Sequence, residues 1–122
     1  MQYAVLIYGD EKFNAARDEQ EQRANGERHA RFMAMLQSRN ALTGGQQLQT
    51  SSSATTLRRD GDRVAITDGP YAETAEQLGG FYLVEAADLD EVIGWAKQLT
   101  EAAIEIRPII EMQVAPQLGS QG

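Results

Sequence analysis

The sequence predicts one domain of mixed helices and strands, an open sheet with two helices packed on one of its faces. Three observations carry this expectation. Apolar runs succeed one another in the order strand, helix, hairpin, strand, helix, strand, with no internal repeat and no interdomain linker. The 122 residues suffice for one core and fall short of two domains of ordinary size. Two of the strands carry large apolar side chains on both faces, which is more than two helices on one side can cover.

The first strand spans residues 3–8, where Tyr3, Val5 and Ile7 alternate with Ala4, Leu6 and Tyr8, and Gly9 and Asp10 end it. From position 18 to position 39 the residues favour helix, with Phe32, Met33, Met35 and Leu36 as the apolar face. Gly44 and Gly45 follow its end, and residues 46–53, rich in Gln, Ser and Thr, read as a loop, the alternative being the ragged start of a strand. Residues 54–59 and 63–67 lean towards strand and are joined by Asp60, Gly61 and Asp62, a strong hairpin signal because Asp-Gly tolerates positive φ. Asp68, Gly69 and Pro70 then open a connection of roughly ten residues. Gly79 and Gly80 close it, and Pro70, Tyr71 and Leu78 are apolar anchors expected to pack it over the first helix.

Residues 81–84 form the next two-faced strand, and Asp88 with Glu91 makes a capping box for the second helix, whose buried stripe is Val92, Ile93, Ala96 and Leu99. Ile104, Ile106, Ile109 and Ile110 supply the last strand. Pro108 within it lacks a ladder donor and marks an edge or a bulge. The domain is expected to occupy residues 1–114 and to leave 115–122 as a flexible tail.

Composition narrows the function classes. Apolar residues make up 42% and charged residues 24% of the chain, a balance that folds rather than stays disordered. Eighteen Asp and Glu against eleven Lys and Arg leave a net charge of -7, which repels phosphate backbones and anionic membrane surfaces. Nucleic acid and membrane are therefore not expected as partners. The absence of cysteine excludes thiol catalysis, disulfides and thiolate metal sites. No run reaches membrane-spanning length and residues 1–9 lack a basic leader, so a cytoplasmic protein is expected. The sheet face left by the helices needs a cover, and pairing with a second copy is the cheapest one, so a homodimer is expected.

The stretch Thr67-Asp68-Gly69-Pro70-Tyr71-Ala72-Glu73-Thr74, continued to Gly79-Gly80-Phe81-Tyr82, closely resembles the signature of YCII-related proteins of the DGPF group. The resemblance extends to Tyr8-Gly9-Asp10, to Ala54-Thr55-Thr56-Leu57-Arg58, to Ala87-Asp88-Leu89-Asp90-Glu91 and to Glu105-Ile106-Arg107-Pro108, so it covers nearly the whole chain. It implies an α+β fold of ferredoxin-like type whose sheets pair into a dimeric α/β barrel. About reaction it implies little: the group is mostly uncharacterised, some members resemble companions of sigma factors of the extracytoplasmic-function class, and a distant relative acts as a dehydrochlorinase on chlorinated hydroquinones. The sequence departs from the group's pattern at Tyr71, where Phe is usual, at Ala75, where Lys is frequent, and at Asn40, where a helix-ending Gly is common. Loss of the Lys weakens the case for an anionic substrate, whereas Asn still tolerates a left-handed cap.

His29 is the single histidine and falls on the helix face of Phe32, Met33 and Leu36. Gln22, Asn25 and Gly26 share that face, which turns from apolar to polar and small towards the N-terminus and so outlines a pocket. Asp68 follows Val64 and Ile66 with period two, so its carboxylate points to the side where those residues are expected to be buried. If the two meet, the carboxylate orients the imidazole and strengthens it as a general base. The resemblance points the same way, a His and an Asp at matching positions being the family's suspected acid/base pair. The alternatives are a half-buried core histidine bonded to a carbonyl, and an Asp that caps its own turn.

Tyr8, Tyr71 and Tyr82 are candidates to place a phenol in the same cleft, and Glu73 lies in the connection, where functional side chains are often held. Each also suits a structural or solvated role. Neither HExxH, nor paired histidines, nor a phosphate-binding glycine loop occurs, so no metal or nucleotide cofactor is expected. Three function classes follow: a cofactor-independent lyase or isomerase using His29 and Asp68 on a small polar or aromatic substrate, a non-catalytic small-molecule-binding dimer that regulates a partner, and a purely structural dimer.

Overall fold

The computed structural model describes residues 1–111; the expected domain end at 114 and the tail beyond it lie outside the described residues. In chain order the elements are β1 (Gln2–Asp10), α1 (Glu11–Ala15), α2 (Glu19–Ser38), β2 (Leu42–Gln47), β3 (Thr55–Asp60), β4 (Arg63–Asp68), β5 (Glu76–Glu85), α3 (Leu89–Ala96) and β6 (Ala103–Pro108), with a 3-10 turn at Ser51–Ser53. Four strands form an antiparallel sheet in the order β2-β5-β1-β6, while β3 and β4 make a separate two-stranded ribbon. The fold is thus mixed α+β with antiparallel strands. No helix among the described residues is long and apolar enough to cross a membrane.

The alternation in β1 and β5 sorts their side chains as period two requires. Tyr3, Val5, Ile7, Tyr82 and Val84 are buried in one cluster with Phe32 and Leu36 of α2, with Val92 and Trp95 of α3, and with Leu99. Both long helices therefore lie on the same face. Phe32 and Leu36, four residues apart on one side of α2, are 1% and 0% exposed, and each such side chain contributes about 1.5–3 kcal/mol by leaving water. The opposite face presents the half-buried Leu6, Phe81 and Leu83.

Helix ends follow their local chemistry. Asp10 accepts from the backbone N–H groups of Lys12 and Phe13 and caps α1, Asp18 accepts from Glu21 N at 2.8 Å and caps α2, and Asp88 accepts from Glu91 N at 2.9 Å and caps α3. Glu91 in turn reaches back to Ala87 N, a residue earlier than the capping box predicts. At the other end of α2, Asn40 adopts φ 53°, Ala41 N donates to Leu36 O at 2.9 Å and Asn40 N to Gln37 O at 3.0 Å. This is a Schellman closure, and it returns the buried Ala41 to the core beside Leu36.

Four expectations are corrected. Of residues 46–53, expected to be a loop, 48–53 are loop and a 3-10 turn, but 46 and 47 belong to strand β2, which begins already at Leu42 with Gly44 and Gly45 inside it. These glycines belong to a strand because the neighbouring backbone is close: a Cβ on Gly45 would lie 2.7 Å from Phe81 O, and one on Gly80 would lie 2.9 Å from Gln46 O. In α3 the stripe runs through Trp95, 9% exposed, rather than Ile93, 36% exposed, since Trp95 continues the line of Val92 and Leu99. The last strand, β6, ends at Pro108 instead of running on to Ile109 and Ile110, the latter exposed, while its place at the sheet edge, paired among the described residues with β1 alone, is the one Pro108 indicated. Finally, β5 starts at Glu76, so the connection after β4 covers only residues 69–75. It packs on β3, not over α2: Arg58 Nη2 donates to Tyr71 O at 2.6 Å, and its guanidinium lies 4.9 Å from the centre of the Tyr71 ring.

The cap of α2 gives a direct test. Asn40→Ala places an ordinary Cβ in the left-handed region and is expected to lower stability by about 1 kcal/mol, whereas Asn40→Gly is expected to keep or raise it. Urea midpoints of the three proteins check this.

Candidate functional site

Towards its N-terminus α2 carries Gln22, Asn25 and Gly26 where the next turns carry Phe32 and Leu36, so the helix keeps its inward face but offers no apolar bulk to fill it. The space left is a cavity of about 720 Å³, walled by these residues and His29, by the glycine-rich backbone of β2 and β5, and by Glu101. The pairing of β5 with β1 shifts there, the bulged residue being Gly79 opposite Ile7 and Tyr8. Such a bulge re-aims the strand beside the cavity. A Cβ on Gly26 would meet nothing within 4 Å, so close approach is not the reason for that glycine.

His29 stands at the inner end of the cavity with both ring nitrogens engaged. Nε2 lies 2.7 Å from Glu101 Oε2 and Nδ1 lies 2.6 Å from the Tyr82 hydroxyl. Asn25 Nδ2 also donates to Glu101 Oε2, at 3.2 Å, and Asn25 Oδ1 accepts from Arg28 at 2.7 Å. The Tyr82 ring is held from behind by Phe32, centre to centre 5.0 Å, so its hydroxyl has a defined position. Glu101 is the residue that the sequence reading missed. It sits between α3 and β6, 72 positions from His29, with no periodic pattern around it.

Burial alone would raise the Glu101 carboxyl, but the His29 hydrogen bond, the charge of the imidazole when protonated and the Asn25 amide outweigh it and hold the group below its ordinary value. A carboxylate can only accept, so a neutral His29 carries its proton on Nε2 and receives the Tyr82 O–H at Nδ1. A protonated His29 instead donates from Nδ1 to the Tyr82 oxygen and frees the phenolic hydrogen for another acceptor. Desolvation, and then the negative charge of Glu101, push the Tyr82 phenol upward, so it stays protonated at neutral pH.

Of the residues expected to act together, His29, Asn25 and Tyr82 are brought to this cavity. Asp68 is not: it is exposed at the end of β4, opposite Thr55 in the ribbon, and the carboxylate on His29 is that of Glu101. Tyr71 is 73% exposed and Glu73 is exposed in the connection. Tyr8 points to the other face of the sheet, where its hydroxyl donates to Glu105 Oε1 at 3.2 Å. It lines, with Tyr71, a second depression of about 670 Å³ between residues 48–54 and 70–78. Among the described residues no group of three or more His, Asp or Glu could hold a metal ion.

A family model, described as the YCII-related domain, matches residues 1–113 of the chain. An uncharacterized protein of Rhizobium meliloti (strain 1021) is 36% identical over 118 residues, a match that covers 89% of this chain and 92% of that relative.

The carboxyl of Glu101 makes stability depend on acid. Its folded value lies below the ordinary 4.5, so its contribution is fully present above that pH and is lost as pH falls through the folded value. Urea midpoints measured from about pH 6 downward, through the ordinary carboxyl range, are expected to fall more steeply for the wild type than for Glu101→Gln.

Proposed function

The chain belongs to the YCII-related domain family, and we propose that its cavity at His29 is a small-molecule site working by acid/base chemistry without a cofactor, as a lyase or isomerase. The observation that carries this reading is the part-buried hydrogen-bond chain Glu101–His29–Tyr82, which ends at the cavity wall. A carboxylate behind an imidazole stabilises the imidazolium that forms when a proton arrives. In the proposed step a substrate C–H gives its proton to the Tyr82 oxygen while the phenolic proton passes to His29 Nδ1. Nε2–H stays on Glu101, and the electron pair left on the substrate carbon either expels a leaving group or shifts to a neighbouring bond. The upward displacement of Tyr82 fits a phenol that relays a proton rather than one that rests as phenolate. Glu101 takes the orienting role that the sequence reading gave to Asp68.

One observation favours a second reading, a non-catalytic binding or regulatory protein: both nitrogens of His29 are already satisfied inside the chain. Tyr82→Phe separates the two. It keeps the ring and removes the relay, so an elimination or isomerisation found by screening small polar and aromatic substrates should lose about a hundredfold or more in kcat. Binding of a co-purifying compound without any turnover in either protein would favour the second reading.

The same proposal includes a ferredoxin-like arrangement and a homodimer. The order β2-β5-β1-β6 with both long helices on one face supports the former. The half-buried Leu6, Phe81 and Leu83 on the opposite face support a second copy as their cover, closing two sheets into an α/β barrel. Light scattering at micromolar concentration is expected to give twice the chain mass, and Leu83→Glu is expected to give the single mass or an unfolded chain. A single mass for the wild type would remove the barrel.

A further inference from the structure

The charges around the cavity narrow what it can hold. Among the described residues lining it, Glu101 is the one carboxyl and His29 the one imidazole, and none is Lys or Arg. While Glu101 is ionised, as it is at neutral pH, the lining therefore carries a charge of -1 with a neutral imidazole and none with a protonated one, and in neither case is it positive. Arg28, the guanidinium bonded to Asn25, does not line the cavity. Residues 112–122 contain neither Lys nor Arg and add no cation. Glu101 sharpens the bias: its side chain is 10% exposed, and its Oε1 is buried with no hydrogen-bond partner among the described residues. An anion entering the cavity meets a carboxylate that is neutralised from one side only.

The polar capacity of the lining is of a different kind. Five carboxamides, Asn14, Gln22, Asn25, Gln46 and Gln47, are included in it. Asn25 is held between Arg28 and Glu101, and Gln22 donates to Arg17 O. The amides of Asn14, Gln46 and Gln47 have no protein partner among the described residues. An amide both donates and accepts without carrying charge, which suits hydroxyl and amide groups and offers a carboxylate or phosphate no counter-ion.

We propose that the cavity selects an uncharged ligand bearing hydroxyl or amide groups and discriminates against carboxylate and phosphate anions. This rests on the reading of the cavity as a ligand site and adds the chemical class of the ligand. Benzamide and benzoate form a matched pair of probes, with the same ring and heads of nearly the same shape. Titrated into the isotopically labelled full chain, benzamide is expected to shift the side-chain amide signals of Asn14, Gln46 and Gln47 and the backbone signals of Gly79 and Gly80. Benzoate is expected to bind at least about tenfold more weakly. Gln47→Lys, a change at an exposed position of β2, introduces one cation and is expected to narrow or invert the preference. Equal or tighter binding of benzoate to the wild type would overturn the proposal while leaving a ligand site standing. A benzamide preference untouched by Gln47→Lys would overturn the electrostatic selection. Silence from both probes up to their solubility would remove the ligand-site reading and this proposal with it.

Discussion

The seating of α2 on the middle of the sheet is the constraint from which the site follows. Phe32 and Leu36 close against Val5, Tyr82 and Val84, the strands β1 and β5 being the two central ones. A helix fixed at that end has its earlier turns fixed too, since 3.6 residues per turn leave no freedom of rotation. His29 thus arrives over Tyr82 because Phe32 is buried one turn later. Tyr82 belongs to both regions at once, its ring to the apolar cluster and its hydroxyl to the polar one. Core and cavity share a wall, so the geometry of the hydrogen bonds at Tyr82 is as well determined as the packing behind it.

What surrounds that wall is built by omission. The same helix face that buries phenylalanine and leucine at one end carries short or amide side chains at the other, and the facing strands supply glycines whose Cβ positions are taken by backbone. Neither element alone makes a cavity. Glycine in β2 and β5 lets the chains approach closely, the bulge at Gly79 turns the strand, and the missing bulk on α2 leaves the volume open.

Much of this was legible beforehand, and the misses have physical reasons. Strict alternation in residues 3–8 and 81–84 revealed the central strands, and the change of character along one helix face revealed that a pocket faces His29. Strand β2 was hidden because Thr43, Gly44 and Gly45 show no alternation, and their role depends on the approach of another strand. Asp68 was misplaced for a subtler reason. Period two says which side chains share a face, not that the face is covered, and the ribbon of β3 and β4 is exposed throughout β4, with Val64 at 41% and Ile66 at 70%. Glu101 left no trace at all, because a glutamate in a short turn acquires meaning only when the fold brings a histidine 72 positions away within hydrogen-bonding distance.

The ribbon carries one further consequence, for handling the protein. Leu57 and Ile66 stand opposite each other across it and are 63% and 70% exposed, an oily rung on a narrow projecting element. Colloidal behaviour then turns on the surplus of acidic side chains, whose mutual repulsion keeps such rungs apart in dilute neutral buffer. Concentrated salt screens that repulsion and acid removes its source, so either condition is expected to let such rungs meet.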